Sequence, residues 1–128
     1  MKTNQLKLAL ALCFVSLPAI AASPVEDRLR EAYAAGASSA DVVRGAMLWR
    51  QQQADRACTS CHGDVPSASG RHVKTGKAIE PMAPSVNRQR YADAGKTDKW
   101  FRRNCKWTFG RECSAQEKAD ILAWLAQQ

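Results

Sequence analysis

The 128-residue sequence predicts an all-α domain. Three observations carry that prediction. Helix starts, each a capping residue ahead of an apolar run, fall at Ser23, at Ser38 to Asp41, at Thr97 and at Ser114. No segment alternates apolar and polar residues as a half-buried strand does. Between Gly63 and Gly95 lie four glycines and three prolines with no sustained period, which reads as one long loop. A loop of that length is out of place in an ordinary small domain unless it has something other than protein to pack on.

The first residues stand apart from the domain. Lys2 and Lys7 form a basic start, Leu8 to Leu17 an apolar run, and Ala19-Ile20-Ala21 a small-residue cleavage site. That is the layout of a secretory signal peptide over residues 1–21, leaving residues 22–128 as a single domain. The apolar run is too short to span a bilayer, and no later segment is longer or more apolar, so the mature protein is expected to be soluble and not membrane-embedded. The expected location is a bacterial periplasm. Cys13 lies inside the apolar run and is expected to leave with it, since Leu12 before it is too large for a lipoprotein site.

Each helix has a local reason. Ser23-Pro24-Val25-Glu26 is a capping box with proline at the first helical position, and that helix is expected to end near Gly36. Ser38-Ser39-Ala40-Asp41 opens a second, expected to carry Val42, Val43, Ala46, Met47 and Trp49 into the cysteine motif that follows. Thr97 caps a third over 98–105, with Trp100, Phe101 and Asn104 at one-turn spacings. Ser114-Ala115-Gln116-Glu117 is another capping box; its helix offers Ile121, Leu122, Trp124 and Leu125 for packing.

The motif is Cys58-Thr59-Ser60-Cys61-His62. This is the pattern for covalent haem attachment in c-type proteins. Each thiol adds to one haem vinyl group, and the adjacent histidine reaches the iron from the same side. Cys58 and Cys61 are the expected attachment points of one haem c, and His62 the expected proximal ligand. Cys-x-x-Cys alone also suits a thioredoxin-like site, but His62, the export signal and the lack of any βαβ pattern argue against that. Of the remaining cysteines, Cys105 and Cys113 lie eight residues apart, and in an oxidising compartment a disulfide is the natural expectation.

The order helix, Cys-x-x-Cys-His, long loop, helix, C-terminal helix resembles the class I cytochrome c fold. In that fold a glycine and an aromatic on the N-terminal helix cross an aliphatic–aromatic pair on the C-terminal one. Gly45 and Trp49 match the first pair, and Ile121 and Trp124 the second. The first helix and Gln51-Gln52-Gln53 look like additions.

Several residues are candidates for the iron's other face. Met82, in Pro81-Met82-Ala83-Pro84, looks like the methionine of an electron-transfer cytochrome. It lies only twenty residues after His62, a short arc to the far side of the ring. His72 is closer still, and a lone histidine there is ordinarily a surface or propionate contact. Met47 is in a helix where core packing is the default role. Lys74 and Lys77 would need to be deprotonated. Asn104 lies forty-two residues after His62, a suitable arc, although an asparagine at a helix end is usually a cap.

Two longer segments bear on that choice. Lys99-Trp100-Phe101-Arg102-Arg103-Asn104-Cys105, with Gly110-Arg111-Glu112-Cys113, resembles the sphaeroides haem protein family. So does the run from Thr75 through Asn87. The resemblance implies a small high-spin c-type cytochrome with Asn104 as the distal iron ligand and a disulfide from Cys105 to Cys113. It also implies a dihaem c-type cytochrome as redox partner. An amide oxygen is neutral, hard and weakly binding, so it suits ferric better than ferrous iron, and reduction is expected to open the site to a small diatomic ligand. Trp100, Phe101 or Trp107 are candidate pocket walls, with plain core packing expected for at least two of them.

Without the signal the chain keeps 17 basic and 12 acidic side chains, a net charge of +5, because Lys2 and Lys7 leave with it. Nucleic acid is not an expected partner outside the cytoplasm. An acidic redox partner fits, as does plain solubility, and Lys99, Arg102, Arg103, Lys106 and Arg111 cluster near Asn104. The leading functional reading is a monohaem cytochrome that binds oxygen or nitric oxide when reduced. The alternatives are an electron carrier with His62 and Met82 ligation, and a haem-based sensor or storage protein. No acid–base pair stands beside the iron, so the sequence does not establish oxygen- or nitrogen-oxide-reductase catalysis.

Overall fold

Five helices and one short hairpin make up the computed structural model, which describes residues 22–128; the signal-peptide reading falls outside the described residues. In chain order they are α1 (Pro24–Ala34), α2 (Val42–Arg50), α3 (Thr59–His62), β1 (Gly70–Arg71), β2 (Ala78–Ile79), α4 (Ala94–Phe109) and α5 (Ala115–Leu125). The all-α expectation with an extra N-terminal helix is borne out. The exception is the hairpin, in which Gly70 pairs with Ile79 and Arg71 with Ala78. Strands of two residues carry no alternation, which is why the sequence gives no sign of them.

The capping boxes at Ser23 and Ser114 form as expected, and Pro24 opens α1. Asp41 caps α2, its carboxylate accepting from the Val43 and Arg44 N–H groups at 2.8 and 3.1 Å. That helix stops at Arg50 instead of running into the cysteine motif. The start of α4 also differs from expectation. Asp93 is the cap, accepting from the Lys96 N–H at 2.8 Å. Thr97 sits inside the first turn and donates back to the Asp93 carbonyl at 2.8 Å. Gly110, at φ 70°, ends the helix in the left-handed conformation that suits glycine. Asn104 is therefore a helix-interior residue and not a cap.

The core forms where α2 crosses α5 and α1 lies against α5. Trp49, Ile121, Leu122, Trp124 and Leu125 are buried there together with Val25 and Tyr91. The Trp49 and Trp124 rings stand 5.3 Å apart. A smaller buried cluster, Cys105, Phe109 and Cys113, joins α4 to the start of α5, and Leu48 and Phe101 touch both clusters.

A buried carboxylate pins the crossing. Asp120 accepts the Asp41 N–H at 2.7 Å, the Arg44 guanidinium at 2.9 and 3.2 Å, and the Gln116 amide at 2.8 Å. Burial opposes its ionisation, but Arg44, the Asp41 N–H and Gln116 outweigh burial and hold the carboxyl below its ordinary range. Met47 is the one α2 residue that departs from expectation most. It is 66 % exposed on the outer face and packs in no core. Among the described residues no helix is long and apolar enough to cross a membrane.

Candidate haem and ligand site

The cysteine motif is a single helical turn. The His62 N–H donates to the Cys58 carbonyl at 3.0 Å and the Cys61 N–H to the same oxygen at 3.3 Å. Ser60 Oγ accepts the Ala57 N–H at 3.0 Å and holds the turn's entry. Spacings of three and four residues put Cys58, Cys61 and His62 on one side of this turn. Both thiols are free and half-buried, not joined to each other. Burial pushes the Cys58 thiol up to about 11, against a hydrogen bond from Thr108. That is the reverse of the thiolate stabilisation that a thioredoxin-like pair needs.

His62 is held by packing. Its ring lies 5.4 Å from that of Trp49, whose indole N–H donates to the Gly63 carbonyl at 3.0 Å. Burial, with the charge of Arg90 adding to it, lowers the imidazole to about 4. The ring is therefore neutral at ordinary pH, as a metal ligand must be. Its buried Nδ1 has no hydrogen-bond partner among the described residues, so no protein group competes for that nitrogen. Two free thiols and a neutral, uncommitted imidazole on one turn fit a covalently attached haem, with His62 as its axial ligand.

Gly70 is a site residue that the sequence did not single out. A β-carbon there would collide with the Cys61 carbonyl and stand 2.9 Å from the His62 Cα. The hairpin thus presses on the attachment turn at a point that only glycine allows.

Asn104 lies on α4, half-buried, one turn from Phe101 and Thr108. Thr108 is buried, and the last turn of α4 is joined to the arm before the attachment turn by the Arg56 guanidinium, which donates to the Trp107 carbonyl at 3.2 Å. The next residue, Cys105, is bonded to Cys113, with Cα atoms 5.6 Å apart.

The other candidates sit in places with other duties. Met82 is half-buried at the edge of the main core. Its N–H donates to the Pro66 carbonyl at 2.8 Å, and its own carbonyl accepts the Tyr91 hydroxyl at 2.7 Å. His72 closes the hairpin, its Nδ1 accepting the Thr75 N–H at 3.2 Å. Lys74 and Lys77 are exposed. Of the aromatics expected to pack in the core, Phe101 alone does so. Trp100 is 45 % exposed beneath the Arg103 guanidinium at 5.2 Å, and Trp107 is half-buried beneath Arg56 at 5.5 Å.

The basic cluster divides by its partners. Lys106 pairs with Glu112 at 3.0 Å and Arg111 with Glu117 at 2.6 Å. Lys99 and Arg102 are exposed, and Arg103 is occupied with Trp100.

Comparison with known proteins agrees with this geometry. Residues 35–125 match the family described as a domain of unknown function, DUF1924. The chain is 40 % identical over 117 residues to cytochrome c-type protein SHP of Cereibacter sphaeroides, covering 87 % of this chain and 90 % of that one. It is 41 % identical over 71 residues to cytochrome c'' of Methylophilus methylotrophus, covering 56 % of this chain and 49 % of that protein. Among solved structures, oxidized SHP, described as an oxygen-binding cytochrome c, superposes with a TM-score of 0.75 at 38 % identity, over 81 % of this chain and 96 % of that one. Oxidized cytochrome c'' from Methylophilus methylotrophus superposes with a TM-score of 0.65 at 32 % identity, over 82 % and 91 % of the two chains. The chain belongs to this family of small c-type cytochromes, the sphaeroides haem proteins.

Proposed function

We propose that this is an exported, periplasmic monohaem cytochrome in which Cys58 and Cys61 hold haem c, His62 is the proximal iron ligand and Asn104 a labile distal one. When bound, the haem would supply a redox-active iron. Asn104 would offer it a hard, neutral and weak amide oxygen that suits ferric better than ferrous iron, so reduction would leave room for a small diatomic molecule such as oxygen or nitric oxide. Electrons arrive from a soluble partner, a dihaem c-type cytochrome or one like it.

The observation that carries this reading is the position of Asn104. It is in a helix interior, where it caps nothing, one turn before the Trp107 carbonyl that Arg56 of the attachment arm holds, and next to a disulfide-bonded cysteine. A weak ligand needs such a frame, because its affinity for iron does not hold it in place. The relative described as an oxygen-binding cytochrome c supports the choice of ligand class.

The test is a set of anaerobic visible spectra of the ferric protein, the ferrous protein and the ferrous protein with carbon monoxide. The ferrous spectrum is expected to be high-spin and to shift promptly with carbon monoxide. Asn104→Ala is expected to change the ferric spectrum and leave the ferrous carbon monoxide spectrum as it was. A low-spin ferrous spectrum indifferent to carbon monoxide would overturn the reading and make Met82 the ligand to examine.

A further inference from the structure

The segment between α2 and the attachment turn contains a tight, strained turn. Gln53 and Arg56 exchange backbone hydrogen bonds of 2.9 and 3.2 Å, and Ala54 between them sits at φ 51°. A β-carbon disfavours that left-handed conformation, so the surroundings must hold it. The turn delivers Arg56 to the last turn of α4. Its Nη1 donates to the Trp107 carbonyl at 3.2 Å, and its guanidinium lies 5.5 Å over the Trp107 ring. α4 ends at Phe109, so the Trp107 carbonyl lies among those left without a partner inside the helix. A cation is favourable at that end. Trp107 lies one turn beyond Asn104, so Arg56 fastens the last turn of α4 to the arm that carries Cys58.

We propose that Arg56 is a positioning residue for Asn104: it clamps the last turn of α4 to the arm that carries the haem and so sets how readily Asn104 leaves the iron. The inference rests on the reading of Asn104 as the distal ligand. The Cys105–Cys113 bond fixes Asn104 relative to α5, but not relative to the attachment arm. The tie between α4 and that arm runs through Arg56, by its hydrogen bond to the Trp107 carbonyl and its guanidinium over the Trp107 ring. Since an amide binds iron weakly, its occupancy depends on reach, and a looser α4 favours the open site.

Cyanide binding to the ferric holoprotein, followed by stopped-flow absorbance, reads this directly, because cyanide enters only after Asn104 leaves. Arg56→Ala is expected to bind cyanide roughly fivefold faster than the parent protein, the effect of losing one hydrogen bond of about 1 kcal/mol. Arg56→Lys, which keeps a cation over Trp107, is expected to fall between. Trp107→Leu removes the ring but keeps the helix and its carbonyl, and is also expected to fall between. Should Arg56→Ala fail to hold haem, the Lys and Leu variants decide by the same rates. Asn104→Ala separates the two ideas. If it does not accelerate cyanide binding, the reading of Asn104 fails. If it does, while the Arg56 and Trp107 variants bind cyanide at the parent rate, the clamp is only structural and this proposal is overturned, whatever happens to their Tm.

Discussion

Gly45 and Asp120 meet backbone against backbone where α2 crosses α5. A β-carbon on Gly45 would collide with the Asp120 carbonyl oxygen and stand 2.8 Å from the Trp124 Cβ. Helix backbones cannot retreat from one another without opening the Trp49–Trp124 contact, so the cost of a methyl here is not relieved by a rotamer change. Gly45→Ala is expected to destabilise the holoprotein by about 2 to 3 kcal/mol, the upper part of the range for overpacking. Urea unfolding followed by tryptophan fluorescence measures it. A loss under about 0.5 kcal/mol would mean that the two helices have room to part.

Asp120 makes the same crossing sensitive to acid. Its folded-state pKa lies below the ordinary value of 3.8 because Arg44, the Asp41 N–H and Gln116 outweigh burial. A carboxyl depressed in the folded state contributes stability that is present above its unfolded pKa and lost as pH falls through the folded one. Glu117, lowered chiefly by Arg111, has the same sign. The contribution of these two carboxyls is therefore expected to be level from neutral pH to about pH 5 and to fall below about pH 4. Asp120→Asn is expected to cost about 1 to 3 kcal/mol at pH 7 through its mismatched donors and to show a shallower loss in acid. Equal acid slopes in the two proteins would place the sensitivity elsewhere.

What the sequence reveals here, and what it hides, follows from the range of each interaction. Ser23, Asp41 and Ser114 act on neighbours within one turn, so their helices are legible. The start of α4 is not, because Asp93 and Thr97 are both capping residues one turn apart and the Ala94-Gly95 step between them gives no apolar periodicity. The Gly45 crossing was legible only through likeness to a known fold. Gly70, Asp120 and Arg56 act across the fold, Arg56 on a residue 51 positions away, and no local pattern announces them. Met47 matches the period of its helix, yet faces outward, because α5 covers the other side and α1 packs on α5.

The Cys105–Cys113 bond closes a nine-residue loop. In the chain-entropy account that contributes about 2.6 kcal/mol, a large share of the stability of a small domain. The double substitution Cys105→Ser, Cys113→Ser is expected to lower the urea midpoint accordingly. It is also expected to quicken cyanide binding to the ferric protein, since Asn104 loses its tether to α5. Thiol titration of the denatured holoprotein, with residues 1–21 removed, supplies the companion check: no reactive thiol before treatment with reductant, and two after it. Two thiols at the outset would mean that the pair is open in the mature protein.

Met82 separates the proposed function from an electron carrier with a permanent sixth ligand. Its backbone is held at both ends, by the Pro66 carbonyl and the Tyr91 hydroxyl, and its side chain borders the core that contains Trp49 and Ile121. Those contacts account for a methionine there as packing. Leucine has nearly the same volume and no sulfur, so Met82→Leu is expected to cost under about 1.5 kcal/mol. The ferric, ferrous and ferrous carbon monoxide spectra are expected to stay as in the parent protein. If the substitution removes a near-infrared sulfur-to-iron charge-transfer band, or opens a ferrous site that was closed before, then Met82 is the distal ligand and Asn104 is an ordinary helix residue.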